Sequence, residues 1–160
     1  MPNNVVMKAR DTIAAKLAEC FITIGSRRYN FMQMIDMEVS IEKTKASVPR
    51  LGAIMVGHKS CGMEGKFSGT AHYNQSVMRQ LLLDYKNTGE DTYFEMQITN
   101  DDPTSAAGRQ TIVLYDCNTD GGILAKFDAD GEYLDEELEG TFEDFSIPES
   151  FTNLTGFLTN

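Results

Sequence analysis

Hydrophobic and polar positions alternate most cleanly between Asp91 and Asp116. In Thr92–Ile98, Phe94, Met96 and Ile98 fall on one side and Tyr93, Glu95 and Gln97 on the other, the pattern of a half-buried antiparallel strand. Gln110–Asp116 is a second β-rich run, and the polar Asn100–Arg109 between them predicts a surface connection. A longer alternation places Ile35, Met37, Val39 and Ile41 opposite Asp36, Glu38, Ser40 and Glu42, with Lys43 and Lys45 extending the charge. Lys66–Tyr73 alternates again, and its small residues, Gly69 and Ala71, predict close approach of another backbone.

One stretch carries the helical period. Val77, Leu81 and Tyr85, with Met78 and Leu82, form a stripe; Asn74 or Ser76 supplies the cap and Gly89 the left-handed stop. Ile13–Ile24 is ambiguous, because Asp11–Glu19 is compatible with a helix start whereas Cys20–Ile24 is β-branched. Gly25–Arg28 reads as a turn, Asn118–Gly122 as another, Ile123–Asp128 as a strand, and Ala129–Gly131 as a further turn. Asp135–Glu139 is an acidic patch, and Leu138–Ile147 a final strand ended by Pro148. The predicted class is mainly β with one flanking helix (α+β), an antiparallel sandwich or barrel.

Between Ala46 and Gly65 the period is lost. The segment is glycine-rich yet contains Leu51, Ile54, Met55 and Val56, so simple disorder is a poor account of it. Two readings stand: a long extended loop that buries these side chains on a neighbouring subunit, or a hairpin folded onto its own core.

The 160 residues are read as one domain, with 1–12 as an N-terminal arm poorly ordered in isolation, 46–65 as the extended loop and 148–160 as a C-terminal tail. The start lacks the layout of a signal peptide, and no apolar run approaches membrane-spanning length, so a cytosolic origin and no membrane partner are expected. Cys20, Cys61 and Cys117 are an odd, widely spaced set that suits reduced thiols. Charge changes the picture more. Residues 1–80 hold eleven Lys/Arg against six Asp/Glu, while residues 81–160 hold three against eighteen. Such asymmetry fits either a solvated acidic face or opposite-sign surfaces that meet in head-to-tail assembly. A net charge of −10 argues against gripping a phosphate backbone.

Candidate chemistry is thin. Asp116–Gly121 begins like a calcium loop, but Phe127 stands where a bidentate Glu is needed. A second frame with Asp128, Asp130 and Glu137 has Lys126 in first place. His58 and Cys61 have zinc-like spacing without a second pair, and neither a third orienting group nor a pocket supports them as a nucleophilic dyad. Gly57–Gly62 spaces its glycines as a phosphate loop does, but Met63-Glu64 replaces the Lys-Ser/Thr. No catalytic residue, cofactor or metal is expected.

Longer blocks carry a resemblance. Lys86–Phe94, Asn100–Thr111, Leu124–Asp130 and Thr141–Phe145, with Ala9–Thr12 and Gly57–Lys59, resemble the tail tube proteins of contractile-tailed phages of Gram-positive bacteria, in the PBSX-type group. The resemblance implies hexameric rings stacked into the tube of a virion tail, assembled in the host cytoplasm. It implies as partners the protein itself and the tail sheath, baseplate and tail terminator proteins, with DNA, or ions in a bacteriocin-like particle, passing through the lumen. The second candidate is the related Hcp-like tube of a secretion or extracellular contractile injection system. On this basis His58 and Lys59 are expected at an inter-ring interface, and the apolar Leu51, Ile54, Met55 and Val56 of the same loop are expected there from their hydrophobic character. Asp36, Glu38 and Glu42 are expected to face the lumen, and Arg109 to donate an inter-subunit salt bridge.

Overall fold

The structure, a computed structural model, describes residues 6–158. Among these residues it contains eight strands and one α-helix, arranged in two compact units.

The first unit holds β1 (Ala18–Ile24), β2 (Arg27–Asn30), β5 (Phe94–Asp101) and most of β6 (Arg109–Thr119) and β8 (Asp144–Glu149). Its strand order is β2-β1-β5-β6, and β8 also pairs with β6. Alternation dictates the core: Cys20 and Ile22 of β1 and Phe94 and Met96 of β5 are buried together with Leu114 of β6. Burial pushes the Cys20 thiol up to about 12. The buried hydroxyls of Thr99 and Thr111 bond each other at 3.1 Å, so neither is left unsatisfied. Residues 13–19 form no helix; among the described residues a 3-10 turn, Ala9–Asp11, precedes β1. Strand β2 replaces part of the expected turn. Arg28 is held there because its guanidinium stacks 4.3 Å above the Phe21 ring and reaches Gln97 at 3.4 Å.

Residues 11–14, at the end of the N-terminal arm, are bonded to the loop that precedes Arg109. The buried Asp102 carboxylate accepts hydrogen bonds from the amides of Ala14 and Thr104, each at 2.9 Å, and from the Thr104 hydroxyl at 2.7 Å. Ser105 donates to the Asp11 carbonyl at 3.4 Å, and Thr152 of the C-terminal segment donates to the carbonyls of Ala106 and Ala107. The loop before Arg109 is therefore an anchor for both terminal segments. Residues 1–5 lie outside the described residues.

The second unit holds β3 (Met34–Val48), β4 (Gly57–His72), β7 (Asp135–Phe142), the last residues of β6 and helix α1 (Val77–Thr88). Its strands run β6-β7-β4-β3, all antiparallel. Helix α1 forms where its stripe places it and stops at Gly89, whose φ of 74° is the left-handed conformation a glycine reaches without strain. Asp116, where β6 enters this unit, has φ 53°, which Asp tolerates better than most residues. Phe67, Ala71, Met78, Leu138 and Phe142 form the core.

Two expectations change here. Residues 123–128 form no strand, and the expected last strand is two strands, β7 and β8, broken by a bend at Glu143, with the acidic patch inside β7 and Pro148 inside β8 rather than beyond its end. The close backbone expected at Gly69 is present: a Cβ there would lie 2.5 Å from the Asp36 carbonyl oxygen.

Candidate functional site

The segment 46–65 is not an extended loop. Val48 pairs with Gly57, Ala46 with Lys59 and Glu42 with Glu64, so β3 and β4 make one long hairpin, and only residues 49–56 form its turn. Fifteen residues of strand reach about 50 Å. The hairpin does not fold onto its own core either, because residues 40–48 of β3 are exposed throughout.

The turn is built to hold its shape. Gly52 takes φ 79°, the Ala53 amide donates to the Arg50 carbonyl at 3.3 Å, and the Arg50 guanidinium donates to the Met55 carbonyl at 2.9 Å. It nevertheless presents apolar side chains to solvent. Leu51 and Ile54 are fully exposed, at 107% and 101%, and Met55 and Val56 largely so. His58 and Lys59 lie behind the turn, opposite Ser47 and Ala46. The tip is thus an exposed apolar cluster on an ordered turn.

Two bulges explain why alternation misreads the arm. Met34 pairs with Ala71 but Asp36 with Thr70, which leaves Ile35 over; Thr44 pairs with Gly62 but Lys45 with Ser60, which leaves Cys61 over. The bulged Cys61 thiol donates to the Thr44 carbonyl at 3.3 Å. Each extra residue reverses the faces beyond it. Ile35 is accordingly half exposed rather than aligned with Met37 and Val39.

The expected lumen residues share a face with others that the sequence does not single out. Directly opposite residues of antiparallel strands lie on the same side. Asp36 faces Thr70, which faces Glu137; Glu38 faces Ser68, which faces Glu139; and Glu42 faces Glu64. Six carboxylates therefore occupy one polar face of β3, β4 and β7, with Lys66 among them. The Glu42–Glu64 opposition is unfavourable in itself. Asp36 is partly engaged, accepting from the Thr70 amide at 3.1 Å. The signal that finds Glu64, Glu137 and Glu139 is strand register, which no single stretch contains.

Arg109 has a partner in its own chain: its Nε lies 3.2 Å from Glu149 Oε2, both side chains about half exposed. Arg79 is the cation that organises the second unit. It donates to buried Glu136 of β7 and to the Gln75 carbonyl, reaches the Ile123 carbonyl at 3.4 Å, and stacks 4.3 Å above Tyr73. Beside it lies an open cleft of about 560 Å³ lined by Thr70, Ile123, Lys126 and the carboxylates of Asp120, Glu137 and Glu139.

The candidate metal and phosphate motifs are drawn into other structure. Asp116–Thr119 lies in β6, Asp128 Oδ1 accepts from the Asp130 amide at 3.1 Å, and Gly57–Gly62 is extended strand that cannot cradle phosphate. Among the described residues, no three His, Cys, Asp or Glu side chains are gathered as metal ligands.

Known proteins share the fold and much of the sequence. Residues 5–149 match the phage tail tube protein family. The protein XkdM of the phage-like element PBSX, from Bacillus subtilis (strain 168), is 35% identical over 149 residues, 93% of this chain and 99% of its own length. The tube-terminating cap of the anti-feeding prophage has the same fold at a TM-score of 0.61 and 8% identity, over 92% of this chain and 96% of that one. The sheath–tube complex of the extracellular contractile injection system PVC contains the fold at a TM-score of 0.57 and 10% identity, over 82% of this chain and 88% of that one. The family match over residues 5–149 and the 35% identity over 93% of the chain agree, and the chain belongs to the phage tail tube protein family.

Proposed function

We propose that this structural, non-enzymatic protein assembles into homohexameric rings that stack as the inner tube of a contractile tail. The carrying observation is the β3–β4 arm, whose tip holds Leu51, Ile54, Met55 and Val56 in solvent. Burying four such side chains is worth about 6 to 12 kcal/mol. Association costs about 4 to 15 kcal/mol, the same size as that gain, so contacts repeated around a ring strengthen what one tip begins. A tip that docks on a different surface of the next copy gives a heterologous contact, which propagates as an open filament.

In this reading residues 1–160 act as one tail-tube subunit, and His58 and Lys59 flank the inter-ring contact. Asp36, Glu38 and Glu42, with Glu64, Glu137 and Glu139, line the lumen, where carboxylates repel DNA phosphates and keep the conduit free of adhesion. In a phage-derived killing particle the same lumen conducts ions. The partners are further copies of the chain, the tail sheath, the baseplate and the tail terminator, and the location is the tail of a particle assembled in the bacterial cytoplasm. A tube of an extracellular injection machine is the second reading, favoured by the fold shared with the PVC complex; particles that carry DNA in the tube support the phage reading and particles without it the other.

Negative-stain imaging and native mass spectrometry of the purified protein test the proposal. Six-subunit rings or tubes are expected, and a monomer at every concentration and salt condition contradicts it. A tube reconstruction with Asp36, Glu38 and Glu42 on the outer, sheath-facing wall overturns the lumen assignment alone.

A further inference from the structure

The surface that receives the hairpin tip is also open to inference, on the reading that the chain polymerises. From Lys43 to Lys59 the arm carries Lys43, Lys45, Arg50 and Lys59 and no carboxylate. Its apolar turn is therefore framed by positive charge alone. A complementary surface must be acidic, apolar and already ordered, because ordering a loop on binding subtracts from affinity.

Residues 120–135 of the second unit meet all three conditions. The segment is irregular, yet it is fastened at several points. Ile123 and Leu124 offer their carbonyls to Arg79 and to the Tyr73 hydroxyl, at 3.4 and 3.3 Å, and Lys126 Nζ donates to the Asp135 carbonyl at 2.9 Å. Asp128 closes a turn by accepting from the Asp130 amide. Despite this anchoring, Leu124, Phe127 and Tyr133 are exposed, Phe127 at 92%. Among them stand the exposed carboxylates of Asp128, Asp130 and Glu132. A fastened loop that turns a phenylalanine, a leucine and a tyrosine outward between carboxylates is matched in charge and polarity by the tip.

We propose that the hairpin tip of one copy docks on the 120–135 loop of the next, with Leu51, Ile54 and Met55 against Leu124, Phe127 and Tyr133, and Lys43, Lys45 and Lys59 facing Asp130 and Glu132. The two surfaces differ, so the contact is heterologous and each copy offers one of each.

Charge reversal tests this. One variant carries Lys45→Glu and Lys59→Glu, the other Asp130→Lys and Glu132→Lys; Asp128 is left alone because it shapes the turn. Both are expected to melt like the parent chain, and each alone to raise the critical concentration for assembly roughly tenfold or more. Mixed in equal amounts they are expected to co-assemble, since the reversed positions of one variant's tip then meet the reversed positions of the other's loop, and the unaltered tip and loop still match. A photo-crosslinking benzoylphenylalanine at Ile54 should link, between copies, to residues 120–135. Assembly of either reversed variant alone at the parent concentration, failure of the mixture, or crosslinks to any other stretch or another protein overturns the docking site. A parent chain that makes neither rings nor tubes overturns the tube reading instead.

Discussion

The ring of Phe67 on β4 lies directly against Gly140, its cross-strand partner on β7, and Phe142 lies in the same way against Gly65 two residues along. A Cβ at Gly140 would stand 2.2 Å from the Asn118 carbonyl oxygen as well as against the Phe67 ring. Backbone cannot yield as a flexible side chain can, so overpacking applies here in full. Gly140→Ala is expected to destabilise the chain by about 1–3 kcal/mol, read as a lowered denaturant midpoint.

Arg79 and Glu136 form an ion pair with only 17% and 8% of their side chains exposed. Arg79→Ala leaves a buried carboxylate uncompensated and is expected to cost about 3–5 kcal/mol. The double variant Arg79→Met, Glu136→Leu removes both charges and should recover most of that loss in the same denaturation measurement. If the double variant is no more stable than Arg79→Ala, the pair's role is not electrostatic.

Asp102 gives stability a pH dependence. The Thr104 hydroxyl, the Ala14 amide and the Thr104 amide hold its carboxyl below the usual carboxylate range. The unfolded chain therefore binds the proton at higher pH than the folded chain does. The contribution is fully present above about pH 4 and is lost as pH falls through the lower folded value. Between pH 7 and pH 3 the parent chain should lose stability more steeply than Asp102→Asn; parallel curves would contradict this assignment.

Ile54→Asp or Met55→Asp places a charge on an exposed turn and breaks no intrachain contact of that side chain shown by the structure. Either variant should unfold within about 0.5 kcal/mol of the parent and yet remain monomeric in sedimentation and electron microscopy. Normal tubes from either variant would remove the tip from the interface.

Arg109 pairs with Glu149 on the surface, a contact worth about 0–1 kcal/mol. As an inter-subunit donor it would matter more to assembly than to folding. Arg109→Ala should accordingly shift the critical concentration while the melting temperature stays nearly constant, and equal losses of both would confine it to an intradomain role.

Local chemistry made some elements legible without any structure. Helix α1 could be read because its stripe and its glycine stop lie within thirteen residues, Val77 to Gly89. The alternation of Phe94 and Met96 in β5 was readable because one face of that strand is buried. The sequence by itself also determined the charge asymmetry and the apolar character of the 51–56 turn.

Tertiary structure decided the rest. Periodicity records a difference between two environments, and the outer part of the β3–β4 arm has water on both sides, so its strands leave no alternating trace. Strand β2 depends on Arg28 lying over Phe21, and β7 accommodates its acidic run because Arg79 meets Glu136. The common face of Asp36, Glu38, Glu42, Glu64, Glu137 and Glu139 exists only once the register of β3 on β4 and of β4 on β7 is set. Register is a relation between distant segments, fixed by which side chains the core accepts, and a chain read one stretch at a time does not contain it.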